Sequence, residues 1–218
     1  MDNDAVLAGA SGLVGRELAR QWPGPGRLTA LVRKPGASGP TRPLVAEQVV
    51  DFTALPALPA ARTAFCALGT TIAVAGSQAA FRAVDFDAVL AFATAARAAG
   101  VRCFAAVSAL GADAGSRNFY SRVKGEAEDA LQALGFRTLL LARPSLLVGD
   151  RAALGQPVRR GEQWGHALTA PLGRLVPAAW RPIEAATVAR ALLGAAAEAG
   201  PGVHVLSSAR LQTLGRTR

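Results

Sequence analysis

Short apolar runs of β type alternate along this chain with stretches whose apolar residues recur every three to four positions. "AVLAG" (5–9) predicts a first strand. "SGLVGRELARQW" predicts a helix with Val14, Leu18 and Trp22 on one face, Ser11 as candidate N-cap and Pro23 as its stop. "RLTALVR" (27–33) reads as a second strand. The "KPGASGPTRP" after it holds too much proline and glycine for a helix, so that crossover is expected to be a loop. "QVVDF" (48–52) and "TAFCALG" (63–69) read as the third and fourth strands. A long helix over about 78–99 places Phe81, Val84, Ala88, Phe92 and Ala95 on one face, with Gly100 at its C-terminal end. "VRCFAAVSAL" gives a fifth strand, "FYSRVKGEAEDALQAL" a helix and "RTLLLARPSLLVG" a sixth strand. After Gly149 the chain reads as loop, then as a helix ("EAATVARALLGAAAEA") and a short strand ("VHVLSS"). Strands alternating with helices predict an α/β fold built on a mainly parallel sheet with crossover helices.

At 218 residues with no evident linker, the chain is expected to form a single domain, 1–218. Its 51% hydrophobic and 18% charged residues suit a packed core. The net charge of +9 would attract anions. The arginines are scattered from Arg16 to Arg218, however, with only Arg159–Arg160 adjacent and no basic stripe interleaved with aromatics, so nucleic-acid binding is not expected. The opening "MDNDAVLAGA" is acidic and unlike a secretory signal, and no apolar run is long enough to span a bilayer; a cytoplasmic location and no membrane partner are expected. Cys66 and Cys103 sit in apolar, strand-like surroundings and read as buried free thiols, and no metal site is expected.

"GASGLVG" sets Gly9, Gly12 and Gly15 between the first strand and the first helix. Glycines there permit a tight turn and let the backbone close on a pyrophosphate, which the helix N-terminus attracts with free N–H groups and a positive dipole end. The second strand ends in "LVRK", where an NAD site usually carries an acid. Arg33 and Lys34 suit a 2′-phosphate instead, so NADP is favoured over NAD, against the alternative of a solvated basic turn in an arginine-rich chain.

"YSRVK" holds the only tyrosine and one of two lysines, among 24 basic residues in all. On a helix Tyr120 and Lys124 share a face. A phenol titrates near 10, and an adjacent ammonium favours its ionised form, which suits it to pass a proton to or from a carbonyl oxygen. Ser108 ends the fifth strand and could hold that oxygen; the alternative is a strand-end serine bonding its own backbone.

With "CALGTT", "VSALGAD" and "RPSLL" added in order, the chain resembles the short-chain dehydrogenases/reductases, in particular their small atypical branch. The match is dense from about residue 5 to 149 and thin beyond. The resemblance implies a Rossmann-like, doubly wound fold (core 1–149) with a small C-terminal cap and last strand (150–218) that is not an independent domain. It implies Ser–Tyr–Lys chemistry at Ser108, Tyr120 and Lys124, with Lys124 also bonding the nicotinamide ribose. It places Ser11, Gly12, Leu13 and Val14 along the phosphates, Asp51 and Phe52 at the adenine, and Leu68, Gly69 and Thr70 beneath the cofactor. Arg143, Pro144, Ser145 and Leu147 would form a loop near the nicotinamide. Many relatives carry an asparagine on the long helix that helps a proton relay; here "FRAVDFD" offers Asp85.

The favoured reading is thus an NADP-dependent reductase of a small carbonyl or quinone substrate, monomeric or homodimeric. An NADPH-binding regulatory or redox-sensing protein with a protein partner stays open, as does, more weakly, a nucleotide-sugar epimerase or dehydratase. Trp164 and His166 fall in the stretch expected to border the substrate, though packing roles suit a lone Trp or His better. His204 alternates with Val203 and Val205 and reads as structural.

Overall fold

A computed structural model of the protein describes residues 3–39, 42–149, 177 and 179–216. Its first half runs β1 (Ala5–Ala8), α1 (Leu13–Gln21), β2 (Leu28–Val32), β3 (Val45–Val49), β4 (Thr63–Cys66) and the short α2 (Ile72–Ala75). α3 (Gln78–Arg82) passes through a π-helical stretch, Ala83–Ala88, directly into α4 (Val89–Ala98). β5 (Cys103–Val107), α5 (Phe119–Ala133), β6 (Thr138–Arg143) and β7 (Leu147–Val148) come next. β8 (Ile183–Glu184), α6 (Ala185–Glu198), β9 (Gly202–Ser207) and α7 (Ser208–Leu214) close the described chain. Seven strands form a sheet in the order β3-β2-β1-β4-β5-β6-β9, every pair parallel. This is the expected Rossmann-like α/β architecture, and the order reverses between β1 and β4, where the carboxyl ends of the strands leave a crevice.

Both faces of the sheet are covered, so strand residues of either parity are apolar. Leu7, Phe65, Ala105 and Leu140 face α1 and α6, meeting Val14, Leu18, Val188 and Leu192. Val6, Ala64, Phe104 and Leu139 face the other way, against Phe92 and Ala96 of α4 and Leu131 of α5. Cys66 and Cys103 are buried and free, and burial pushes the Cys66 thiol up to about 12.

Several expectations are corrected. The third strand lies at Val45–Val49 rather than 48–52, because its pairing follows β2 from Leu28↔Val45 to Val32↔Val49, while Asp51 turns back on Thr53. The crossover between these strands is the expected loop, pinned by Glu47, whose carboxylate accepts the N–H groups of Gly36 (2.6 Å) and Ser38 (2.8 Å) and the Ser38 hydroxyl. The sixth strand stops at Arg143, ahead of Pro144; Leu147–Val148 pairs instead with Ile183–Glu184 in a separate two-stranded ribbon. Gly12, in extended conformation, caps α1 in place of Ser11, with no side-chain bond. The long helix buries Phe81, Asp85, Val89 and Phe92, not the face through Val84 and Ala88, because the π-helical stretch bonds i to i+5 and turns the following residues out of the simple helical phase. α7 had no counterpart in the sequence reading. The stretch expected to cap the site, with Trp164 and His166, lies outside the described residues.

Candidate functional site

The turn after β1 is built by glycine for two separate reasons. Gly9 has φ +84°, and a Cβ there would fall 2.4 Å from the Ala67 carbonyl carbon at the end of β4. At Gly15 a Cβ would lie 2.1 Å from the Gly9 carbonyl oxygen, so α1 approaches the turn as closely as backbone allows. Gly12, by contrast, has its nearest neighbour at 3.4 Å. Its N–H donates to Gly9 (3.0 Å), and Arg16 makes the first helical bond back to Gly12 (2.9 Å). The N–H groups of Leu13, Val14 and Gly15 precede that bond and are those a helix leaves without an intrahelical partner.

Beside this elbow, the ends of β4 and β5 and the start of α5 converge. Ser108 follows β5; its N–H donates to Ala142 (2.7 Å), while its buried Oγ has no hydrogen-bond partner among the described residues. α5 starts at Asn118, whose side chain accepts the Ser121 N–H (3.1 Å). Tyr120 rests its ring against Phe81, centroids 5.4 Å apart. One turn on, Lys124 is buried with its Nζ 2.7 Å from Oδ1 of Asp85. Oδ1 lacks hydrogen-bond alignment, so this contact is an ion pair, and Oδ2 accepts the Thr70 N–H at 2.8 Å. Burial pulls the Lys124 ammonium towards neutrality, but the Asp85 carboxylate and Tyr120 outweigh it, and its pKa is raised. Gly69 completes the wall: a Cβ there would sit 3.3 Å from Oδ1 of Asp85.

One cleft therefore brings together Gly12, Leu13 and Val14 of the elbow, Leu68, Gly69 and Thr70 of the β4–α2 loop, and Ser108, Tyr120 and Lys124. Asp85 and Leu147 line it as well.

Other expected residues stand apart from it. Ser11 is exposed at the elbow. Arg33 and Lys34 are exposed at the end of β2, with no ion pair to them among the described residues. Asp51 receives the N–H (2.8 Å) and hydroxyl (2.7 Å) of Thr53, which hold its carboxyl below the usual range. Phe52 packs on the α4 side of the core. Of the 143–147 loop only Leu147 reaches the cleft. Arg143 is turned to Glu128 of α5, its Nε 3.0 Å from Oε1, and hydrogen bonding to that carboxylate raises its pKa. Pro144 is buried, and its carbonyl accepts the Leu110 N–H (2.9 Å). Ser145 donates to the Arg181 carbonyl and accepts from Ser208 (3.0 Å). His204 places Nε2 3.0 Å from the Gly200 carbonyl.

Asp85, which the resemblance offers in place of the relay asparagine, is buried against Lys124. Two contributors were missing from the expected centre. Glu128 continues the Tyr120–Lys124 spacing by one further turn, a signal that was available. Gly125 lets α5 lie on the loop after Ser108; a Cβ there would fall 2.0 Å from the Ala114 nitrogen.

No family model matches the chain. The chain is 33% identical over 229 residues to the protein HTATIP2 of Rattus norvegicus, across 99% of itself and 91% of that relative. The chain belongs to the short-chain dehydrogenase/reductase family. It falls in the family's small atypical branch, alongside HTATIP2 and the protein FMP52-1, mitochondrial, of Scheffersomyces stipitis, 31% identical over 165 residues (67% of this chain, 68% of that one). Among solved structures of the fold, MoeE5 in complex with UDP-glucose and NAD superposes with a TM-score of 0.69 at 19% identity, over 94% of this chain and 75% of that one. The relatives correct one expectation. FMP52 proteins of several fungi carry "mitochondrial" in their names, which points away from a purely cytoplasmic location.

Proposed function

We propose that this family member is an NADP-dependent oxidoreductase that reduces a small carbonyl or quinone substrate through Ser108, Tyr120 and Lys124. The observation that carries the reading is the cleft itself: an elbow whose helix N–H groups lack intrahelical partners opens beside a buried serine hydroxyl with no partner among the described residues, the only tyrosine and a buried lysine.

The residues fit a nicotinamide dinucleotide. Gly12 leaves the open approach that a pyrophosphate needs, and Gly69 and Thr70 give a flat floor beside Lys124. Arg33 and Lys34, exposed and unpaired with any carboxylate among the described residues, favour a 2′-phosphate over a bare ribose. When bound, such a cofactor supplies the hydride. Ser108 donates a hydrogen bond to the substrate oxygen from a hydroxyl that has no partner among the described residues. Tyr120 gives its phenolic proton to that oxygen as negative charge develops there. Lys124 orients the nicotinamide ribose, and Asp85 holds Lys124 in place.

The test is NADPH oxidation by the purified chain against a panel of aldehydes, ketones and quinones, with Tyr120→Phe alongside. Turnover that falls at least a hundredfold in the variant supports the reading, in line with the ~10²–10⁴ contributed by a positioned acid. Equal rates would remove Tyr120 from the mechanism.

A further inference from the structure

The opposite edge of the sheet, where the strands begin, carries a second cavity, of about 660 Å³, lined by Arg62, Arg102 and Arg137 above Cys103 and Thr138. Each arginine immediately precedes a strand, β4, β5 or β6. The parallel register Thr63↔Cys103↔Thr138 then sets the three side by side, roughly 4.8 Å from strand to strand. Backbone bonds hold the row: Arg102 N–H to the Arg62 carbonyl and Thr138 N–H to the Arg102 carbonyl, both 3.0 Å. The same edge continues through Asp4, before β1, to Arg27, before β2.

All four arginines are exposed, and no carboxylate pairs with any of them among the described residues. Asp4 is committed to the backbone, its carboxylate accepting the Arg27 N–H (2.8 Å) and its carbonyl the Arg62 N–H (2.9 Å). The ends of α4 and α6 also border the cavity, at Ala99–Gly100 and Ala199–Gly200. Four guanidinium charges against one carboxylate leave three, and two helix C-termini of about half a negative charge each reduce that to about two.

We propose that this edge binds the phosphoryl dianion of a phosphate-bearing small molecule. Guanidinium forks match phosphate oxygens in pairs, and the surplus charge matches a dianion. The rest of the lining is alanine, glycine, proline, threonine and cysteine, with no aromatic on which a base could stack, so the phosphate rather than a nucleobase is what is recognised. The site lies at the far end of the strands from the cleft and does not compete with a dinucleotide there.

Inorganic phosphate titrated into the full chain at constant ionic strength tests this by calorimetry. Saturable binding is expected, weakened at least tenfold by Arg62→Gln/Arg102→Gln/Arg137→Gln. It should be unchanged by Arg117→Gln/Arg210→Gln/Arg216→Gln, which removes the same charge from exposed sites elsewhere. Thermal unfolding checks that both variants fold; if the first does not, Arg102→Gln alone, at the centre of the row, should weaken binding about fivefold. Equal affinity for wild type and the row variant, or equal loss in both triple variants, overturns the proposal. Vesicles of phosphatidylcholine with phosphatidate form a second arm. Sedimentation abolished only by the row variant identifies a lipid headgroup as the source, whereas phosphate binding without sedimentation identifies a soluble ester. Failure of wild type to bind either probe refutes the site.

Discussion

The Lys124 ammonium lies 2.7 Å from a carboxylate oxygen of Asp85, with 7% of the lysine side chain and none of the aspartate's exposed. Removing one member of such a pair strands a charge in the interior, whereas removing both need not. Asp85→Asn and Lys124→Met are each expected to lose about 3–5 kcal/mol of stability. Asp85→Leu combined with Lys124→Met should recover most of that loss, as urea unfolding of the three variants would show. Stable single variants would mean that the pair is open to water.

The same pair sets a pH dependence. The Lys124 pKa is raised above its ordinary 10.5, against burial, chiefly by Asp85. A folded value above the unfolded one contributes stability that is whole below 10.5 and fades as pH climbs through the folded value. Melting temperatures from pH 8 to 12 should therefore fall more steeply above about 10.5 for wild type than for the Asp85→Leu/Lys124→Met protein. Parallel curves would contradict this.

Ser108 keeps a buried hydroxyl with no hydrogen-bond partner among the described residues. A group in that state costs stability. Ser108→Ala should leave the protein as stable or up to about 1 kcal/mol more so, while turnover falls about a hundredfold. A destabilised variant with full turnover would reverse the assignment.

The three elbow glycines should separate by function. Gly9→Ala and Gly15→Ala collide with backbone at 2.4 and 2.1 Å, and each should cost at least about 2 kcal/mol. Gly12→Ala meets nothing closer than 3.4 Å, so it should fold normally and lose dinucleotide affinity. Normal cofactor binding by Gly12→Ala, measured by fluorescence titration, would place the pyrophosphate elsewhere.

Arg33 and Lys34 are exposed, so their replacement should leave stability alone. Arg33→Ala/Lys34→Ala is expected to weaken NADP binding by about 1.5–3 kcal/mol, the worth of charge-assisted hydrogen bonds, and to leave NAD binding unchanged. Equal losses for both cofactors would assign these residues to something other than the 2′-phosphate.

The sequence by itself determined the alternation of the main strands and helices through β6, the parallel sheet, the glycine elbow, and the helical neighbourhood of Tyr120 and Lys124. Each is a local property, carried by apolar periodicity, by backbone freedom at glycine or by a spacing of one helical turn. The partners of the charged groups were decided only by the tertiary structure. Asp85 reaches Lys124 because a π-helical stretch shifts the phase of the long helix, and Arg143 faces Glu128 because β6 passes beside α5. The arginines before β4, β5 and β6 are scattered in sequence, as Arg62, Arg102 and Arg137, and become one row only through strand register. Periodicity reports which face of an element is apolar; which distant charge meets it depends on how elements pack, and no local pattern encodes that.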